Sequence, residues 1–376
     1  MRAQIRLGRI FGIPIGLHYS WLIIAFLIAL SLVSYFRATN PEWSGGVVWA
    51  LAIVAAMLFF AAIIAHELTH AVVAKARGLP VRAITLFALG GVAQIEKGAA
   101  DPKTEFWMGI AGPLASVAIG AACLAVAYAL GWVPMTTPMA PLLAMLVWLG
   151  SINIMLALFN MIPGFPLDGG RVLRAVIWWA TGNADRSTRI AARVGQFVAF
   201  ALIVLGLLRF FAGAGFGGLW IAFIGWFLLD AARASYAEVE TATGLRGLRA
   251  SDLMTRDCPV VDRRSSLQAF IDEYLLRTGR HCFIVRDNGR MVGLITPHEV
   301  KEIAREQWPQ MTVSDAMRPL DQLHTVSPET PVTEVLETMT REDVNQLLVA
   351  SNGDLEGMIS RAHILQVLQA RHELHM

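Results

Sequence analysis

Apolar positions along this chain fall into two regimes. Over roughly the first 235 residues they gather into long unbroken runs, at about 18–36, 47–74, 105–130, 141–161, 195–211 and 217–232. About 20 consecutive apolar residues cross the hydrocarbon core of a bilayer as a helix, so the pattern predicts about six membrane-spanning helices. From Leu248 onward the runs shorten, charges become frequent, and β-rich segments alternate with amphipathic helical ones. The pattern predicts a membrane domain over 1–240 followed by a soluble α/β region. No A-x-A-like cleavage site closes the first run, and its length suits a span better than a signal peptide.

Composition agrees. Of 376 residues 55% are hydrophobic and 16% charged, against about 25% charged in ordinary soluble domains. The net charge of +2 says little about partners, and no nucleic-acid partner is expected. Cys123, Cys258 and Cys282 are too few and too scattered for a disulfide framework or a cysteine metal site.

Orientation follows from basic residues, which concentrate on the cytosolic side. Arg2, Arg6 and Arg9 precede the first span; Lys75, Arg77, Arg82, Lys97 and Lys103 follow the second; Arg171, Arg174, Arg186, Arg189 and Arg193 follow the fourth. The alternate loops hold Arg37 and Glu42, or no charge at all. Both termini are therefore expected in the cytosol of a multi-pass protein in a prokaryotic cell membrane.

Against this apolar background one cluster stands out. His66-Glu67-Leu68-Thr69-His70 ends a stretch, Val47 through Ala65, that carries no charge. Ionisable groups inside a span are costly and mark function by default. On a helix the two histidines share a face, at the spacing with which two imidazoles hold one zinc ion beside a glutamate base. They precede Lys75 by nine and five residues, roughly 7–14 Å of helix below the returning charge. That places the site in the membrane, toward the cytosolic face. A catalytic zinc takes a third protein ligand, and Asp168, in Asn160-Met-Ile-Pro-Gly-Phe-Pro-Leu-Asp168-Gly-Gly170, is the candidate. Read alone, Asp168-Gly169 is also an ordinary turn dipeptide, Gly90-Gly91 a simple turn, and His18 an interfacial histidine.

HELTH in a span, with N-x-x-P-x-x-P-L-D-G-G after a later one, resembles the site-2 protease family of intramembrane zinc metalloproteases. Ile13 to His18, Ile84 to Val92 and Ala111-Gly112-Pro113 add to the likeness, which covers roughly residues 1–235. The resemblance implies His66, His70 and Asp168 as zinc ligands, Glu67 as general base, and Asn160 as a residue that positions the substrate or the oxyanion. It also implies a re-entrant β-hairpin around Gly90 and Gly91 that docks an unwound transmembrane substrate as an added strand.

The soluble region repeats itself. Ser251-Asp-Leu-Met254 and Ser314-Asp-Ala-Met317 lie 63 residues apart. Each is followed by a β-rich run, an amphipathic helix, a strand, an Asn-Gly turn (Asn288-Gly289, Asn352-Gly353) and G-x-I-[T/S]. This resembles a tandem pair of CBS domains, over 248–306 and 311–371, modules that bind adenosine nucleotides, regulate an attached protein and pair into homodimers. Thr296, Glu299 and Ser360 are the nucleotide-binding candidates. Where such domains place a ribose-binding Asp this chain has Glu299 and His363. The six histidines of this region, His281, His298, His324, His363, His372 and His375, show no ligand spacing.

The expected function is hydrolysis of peptide bonds in or near transmembrane segments by a zinc endopeptidase that the CBS pair regulates. The alternative is a CBS-regulated transporter or channel using the His/Glu cluster as an ion site.

Overall fold

The computed structural model describes residues 4–87, 90–95, 98–134, 140–256, 259–278, 280, 282–351 and 354–373. Cys258, Asn352-Gly353, His281, His375 and Lys97 lie outside them. The chain divides into two units, Met1–Val239 and Glu240–Met376.

Among the described residues six helices are long and apolar enough to cross a membrane: Ser20–Thr39, Gly45–Ala76, Pro102–Ala129, Pro141–Asn160, Ala184–Gly213 and Phe216–Thr241. The first four are α1 to α4. A shorter helix, α5 (Asp168–Thr181), precedes α6 (Ala184–Arg209) and α7 (Phe216–Gly244). Lipid tails are as apolar as leucine, so helices here associate by close packing rather than by escape from water. α1 and α2 meet through Leu32, Val33 and Phe36 against Val48, Ala52, Ala55 and Ala56. α3 and α4 meet through Gly120 and Gly150, where a Cβ on Gly120 would stand 2.8 Å from the Ile154 side chain. Leu22, Ile23 and Phe26, 54–62% exposed, leave α1 an apolar outer face, as a lipid-facing helix requires.

Two departures from the sequence reading bear on the site. The fifth span starts at Ala184, so Arg186, Arg189 and Arg193 ride on its first turns, and the segment before it is α5. The Gly169-Gly170 pair reads as a helix breaker, yet close packing against neighbouring backbone holds it helical. The strands around Gly90 and Gly91 also belong to a larger sheet. β1 (Ile5–Ile10), β2 (Ile13–Leu17), β3 (Val81–Phe87) and β4 (Gly90–Ile95) form one sheet in that order. β2 runs parallel to β3 through Ile15↔Ile84 and Leu17↔Leu86, and β3 antiparallel to β4. Ile13 and Ile84 pack on Ala71 and Leu68 of α2, which lays the sheet beside the histidine turn. The pairing of β2 with β3 joins segments more than 60 residues apart, a contact that local periodicity cannot signal.

In the second unit, β5 (Val260–Asp262), β6 (Phe283–Asp287), β7 (Arg290–Ile295) and β8 (Arg318–Pro319) form one sheet, and β9 (Thr325–Val326), β10 (Gln346–Ser351) and β11 (Asp354–Ser360) another. β5–β6 and β9–β10 are parallel; β6–β7 and β10–β11 are antiparallel. The two repeats thus share one topology. Their leaders cross over: Ala250 and Leu253 belong to the core of Val332, Val335 and Ile359, while Val313 joins that of Val261, Leu267 and Phe283. Bridges Arg249↔Pro331 and Ser266↔Thr312 fix the exchange.

α3 starts on an Asp101 cap, which accepts from the Thr104 N–H at 2.9 Å and the Thr104 hydroxyl at 2.6 Å. Those bonds, the hydroxyl first, hold the exposed Asp101 carboxyl below its usual range. A depressed folded-state value means the cap contributes above the ordinary carboxylate range and loses its effect as pH falls through the lowered value. Asp101→Ala is expected to cost about 1 kcal/mol in thermal unfolding at neutral pH. The gap to wild type should close at strongly acidic pH; a gap that stays constant would contradict the capping role.

Candidate metal centre

The histidine pair sits in the C-terminal third of α2, where i and i+4 share a face. His66 and His70 are 4% and 5% exposed, with their Nε2 atoms 3.3 Å apart. Thr69 turns its hydroxyl back to the Ala65 carbonyl at 2.7 Å, so it makes no demand on the site. Glu67, one residue round the helix, lies against β4: a Cβ on Gly91 would stand 2.5 Å from Glu67 Cγ and 3.0 Å from Cδ.

Asp168 arrives as the first residue of α5. Its Oδ2 lies 3.1 Å from His66 Nε2 and 3.2 Å from His70 Nε2. Glycines make this approach possible. Cβ atoms on Gly169 and Gly170 would collide with the backbone of Met161, Ile162, Gly164 and Phe165, and one on Gly195 of α6 with Phe165. The loop between α4 and α5 is thus pressed between α5 and α6 by main-chain contact, and the direction of Asp168 is set by that stack.

His66, His70 and Asp168 offer one ligand atom each, all within 4.8 Å of one another. Two imidazole nitrogens and a carboxylate oxygen are the donor set of a catalytic zinc. The outer nitrogens support this fit. His70 Nδ1 is 2.5 Å from the Met108 carbonyl, which can only accept, so Nδ1 carries the hydrogen and a neutral ring leaves Nε2 as a bare lone pair. Ser116 Oγ, fully buried, stands 2.9 Å from His66 Nδ1. Such outer contacts orient metal-ligating imidazoles.

Both orienting groups come from α3, as does Gly112. A Cβ there would overlap both Nε2 atoms, so only glycine leaves the ligand face clear. Met108, Gly112 and Ser116 recur every four residues on one face of α3, a signal visible in the sequence but lost among the other small residues of that helix. Ala111-Gly112-Pro113 suggested a family and no role.

Asn160 is half-buried at the end of α4, eight residues before Asp168, and is not part of the ligand group. Gly90, at φ 137°, and Gly91 open β4. His18 contacts Ser20 Oγ at 2.8 Å through Nδ1. In the second unit Thr296 and Glu299 close a capping box on the helix Pro297–Lys301, and Arg318 lies 3.0 Å from Glu299. That carboxylate therefore already has partners where a ribose hydroxyl was expected. Ser360 Oγ accepts from the His363 N–H at 3.2 Å.

The protein resembles known ones along its length. The family model for peptidase family M50 matches residues 54–140 and 131–203, and that for the CBS domain matches 250–306 and 313–370. The protein sll0528 of Synechocystis sp. is 33% identical over 372 residues, 98% of this chain and 96% of its own. The zinc metalloprotease MJ0392 of Methanocaldococcus jannaschii is 32% identical over 380 residues, 100% of this chain and 99% of its own. A solved site-2 protease from the same archaeon shares 32% identity, covering 62% of this chain and 94% of that one, at a TM-score of 0.42. With a pair of CBS domains behind its membrane helices, the chain belongs to peptidase family M50, the site-2 protease type of metallopeptidase.

Gly112→Ala should abolish zinc binding while preserving the fold. Alanine favours helix by up to about 1 kcal/mol over glycine, so a loss of metal could not be laid to a weaker helix. Metal analysis of purified protein decides; one zinc per chain in the variant would contradict this geometry.

Proposed function

We propose that the protein cleaves peptide bonds within or beside transmembrane segments of other proteins, with one zinc ion held by His66, His70 and Asp168. The carrying observation is the convergence of these three donors, from chain positions about 100 residues apart, next to Glu67 and an edge strand. Zinc bound there would supply an activated water near neutral pH and polarise the scissile carbonyl. Glu67 takes the proton of the attacking water and passes it to the leaving amine. β4 is an edge of its sheet among the described residues, and an unpaired edge can accept an extended segment as a further strand. A substrate seated there lies beside Gly91 and hence beside Glu67, with Asn160 positioning the chain or its developing oxyanion. A helical substrate must first unwind, because its amides are bonded internally. The distribution of basic residues supports cytosolic termini and a site toward that face. The transporter reading is not favoured, given membership of a peptidase family.

The CBS pair is proposed as the regulatory module. A cavity of about 660 Å3 in its unit is lined by Thr296, Glu299, Arg318, Ser360 and Arg361 among others. With Glu299 engaged, the arginines favour an adenosine nucleotide held through its phosphates rather than its ribose. Homodimer formation through this module belongs to the same reading, carried by the resemblance alone.

Glu67→Gln should keep one zinc per chain and lower turnover of a membrane substrate by about 100-fold or more; full activity in this variant would sink the assignment. Titration of the full-length protein should show ATP binding that Arg361→Ala weakens about tenfold, roughly the 1.4 kcal/mol of one charged hydrogen bond. Adenosine binding as tightly as ATP would contradict recognition through phosphates.

A further inference from the structure

Glu105 is 1% exposed on the first turn of α3, and the ligand set does not use it. A buried carboxylate needs compensating partners. Its Oε1 accepts from Arg171 Nε at 3.2 Å and lies 3.1 Å from Arg174 Nη1. Both arginines are on α5, the helix whose first residue is Asp168, and Arg171 follows Asp168 by three residues, on the same side of the helix. The helix carrying the third ligand is thus fastened, one turn past that ligand, to the helix that orients the other two.

The backbones approach closely at the same place. A Cβ on Gly109 would stand 3.1 Å from Arg171 Cβ and from Val172 N. Along α3, then, Glu105 holds α5, Gly109 admits it, Met108 holds His70 and Ser116 holds His66. α3 acts as a common reference for ligands delivered from two separate parts of the chain. The ion cluster is not built for stability alone: both guanidiniums converge on one oxygen, while Glu105 Oε2 and Arg174 Nε are buried with no hydrogen-bond partner among the described residues. A buried ion group that leaves pairing capacity unused is weak as a stabiliser. Two cations on one oxygen from residues three apart do, however, fix both the rotation and the advance of α5.

We propose that Glu105 is a positioning residue of this metal centre, setting through Arg171 and Arg174 the placement of α5 that brings Asp168 Oδ2 to the two imidazoles. The proposal rests on the metallopeptidase reading above. Ligand geometry tolerates displacements of only about 0.5 Å, so an anchor one turn past Asp168 adds to the glycine stack the restraint on rotation and advance that the centre requires.

The test compares four full-length proteins in detergent: wild type, Glu105→Gln, the double variant Glu105→Gln with Arg174→Met, and Val172→Ala. The zinc dissociation constant is read by chelator competition, alongside thermal stability, kcat and KM. Glu105→Gln should raise the zinc dissociation constant by about 10–100-fold, the usual range for groups that orient ligands, and lower kcat with KM little changed. The double variant removes the guanidinium left stranded; it should recover stability but not zinc affinity, and it is the informative variant should the single one fail to fold. Val172→Ala, which loosens the α3–α5 contact without touching the charges, should lose stability and keep wild-type zinc affinity. Wild-type affinity and kcat in either folded Glu105 variant would overturn the proposal, as would recovery of both in the double variant, since Glu105 would then only balance Arg174. A Val172→Ala zinc affinity as weak as that of Glu105→Gln would reduce the effect to general loosening and overturn it as well. A wild type that holds no zinc removes the metallopeptidase reading itself; a wild type that holds zinc, with variants equal to it, removes this inference alone.

Discussion

Three ionisable side chains meet below the level at which charge resumes along α2, in surroundings where an unpaired charge is costly. Almost everything that distinguishes this membrane unit from a plain helical bundle follows from meeting that cost. His66 and His70 are easy to bring together, since one helix turn does it. Asp168 must come from about 100 residues further on, and it reaches them only because glycines at 164, 169, 170 and 195 let main chain lie on main chain. Side chains at those positions would hold α5 away and leave a carboxylate in apolar surroundings without its partners.

The same constraint explains the character of α3. It contributes no ligand, yet a carbonyl, a hydroxyl and a missing Cβ on one face orient both imidazoles and clear the space between them. A turn away, it holds the helix that begins at Asp168 through a buried carboxylate. In a medium that offers no water to satisfy stray polar groups, such orienting contacts must come from protein, and a rigid neighbouring helix is a natural source.

The sheet adds the element that bare helices lack, a row of main-chain donors and acceptors. Its strand β4 lies against Glu67 at Gly91, so the proposed base and the proposed strand-pairing edge are set by one contact. In the second unit the exchange of leader helices between the repeats makes each core depend on both copies. The two repeats are therefore interdependent in their packing.

Much of this was legible in the chain. The six spans follow from run length, because a bilayer sets a minimum number of apolar residues; the repeat follows from self-similarity; the histidine pair and its glutamate follow from helical spacing. Each of these is a local property, readable within a window of a few turns. What the chain did not disclose is long-range. The pairing of β2 with β3, the helix that begins at Asp168, the crossing of the leader helices and the roles of Glu105, Gly112 and Ser116 depend on which segments become neighbours. Glu299 is an example: its spacing after Thr296 suited a ribose contact, and only the packing showed that Arg318 and the adjacent helix start also meet this carboxylate. Sequence by itself determined the kind of elements and the reactive groups, since both depend on local chemistry. Only the tertiary structure decided which groups face one another, because that depends on how closely backbones can approach.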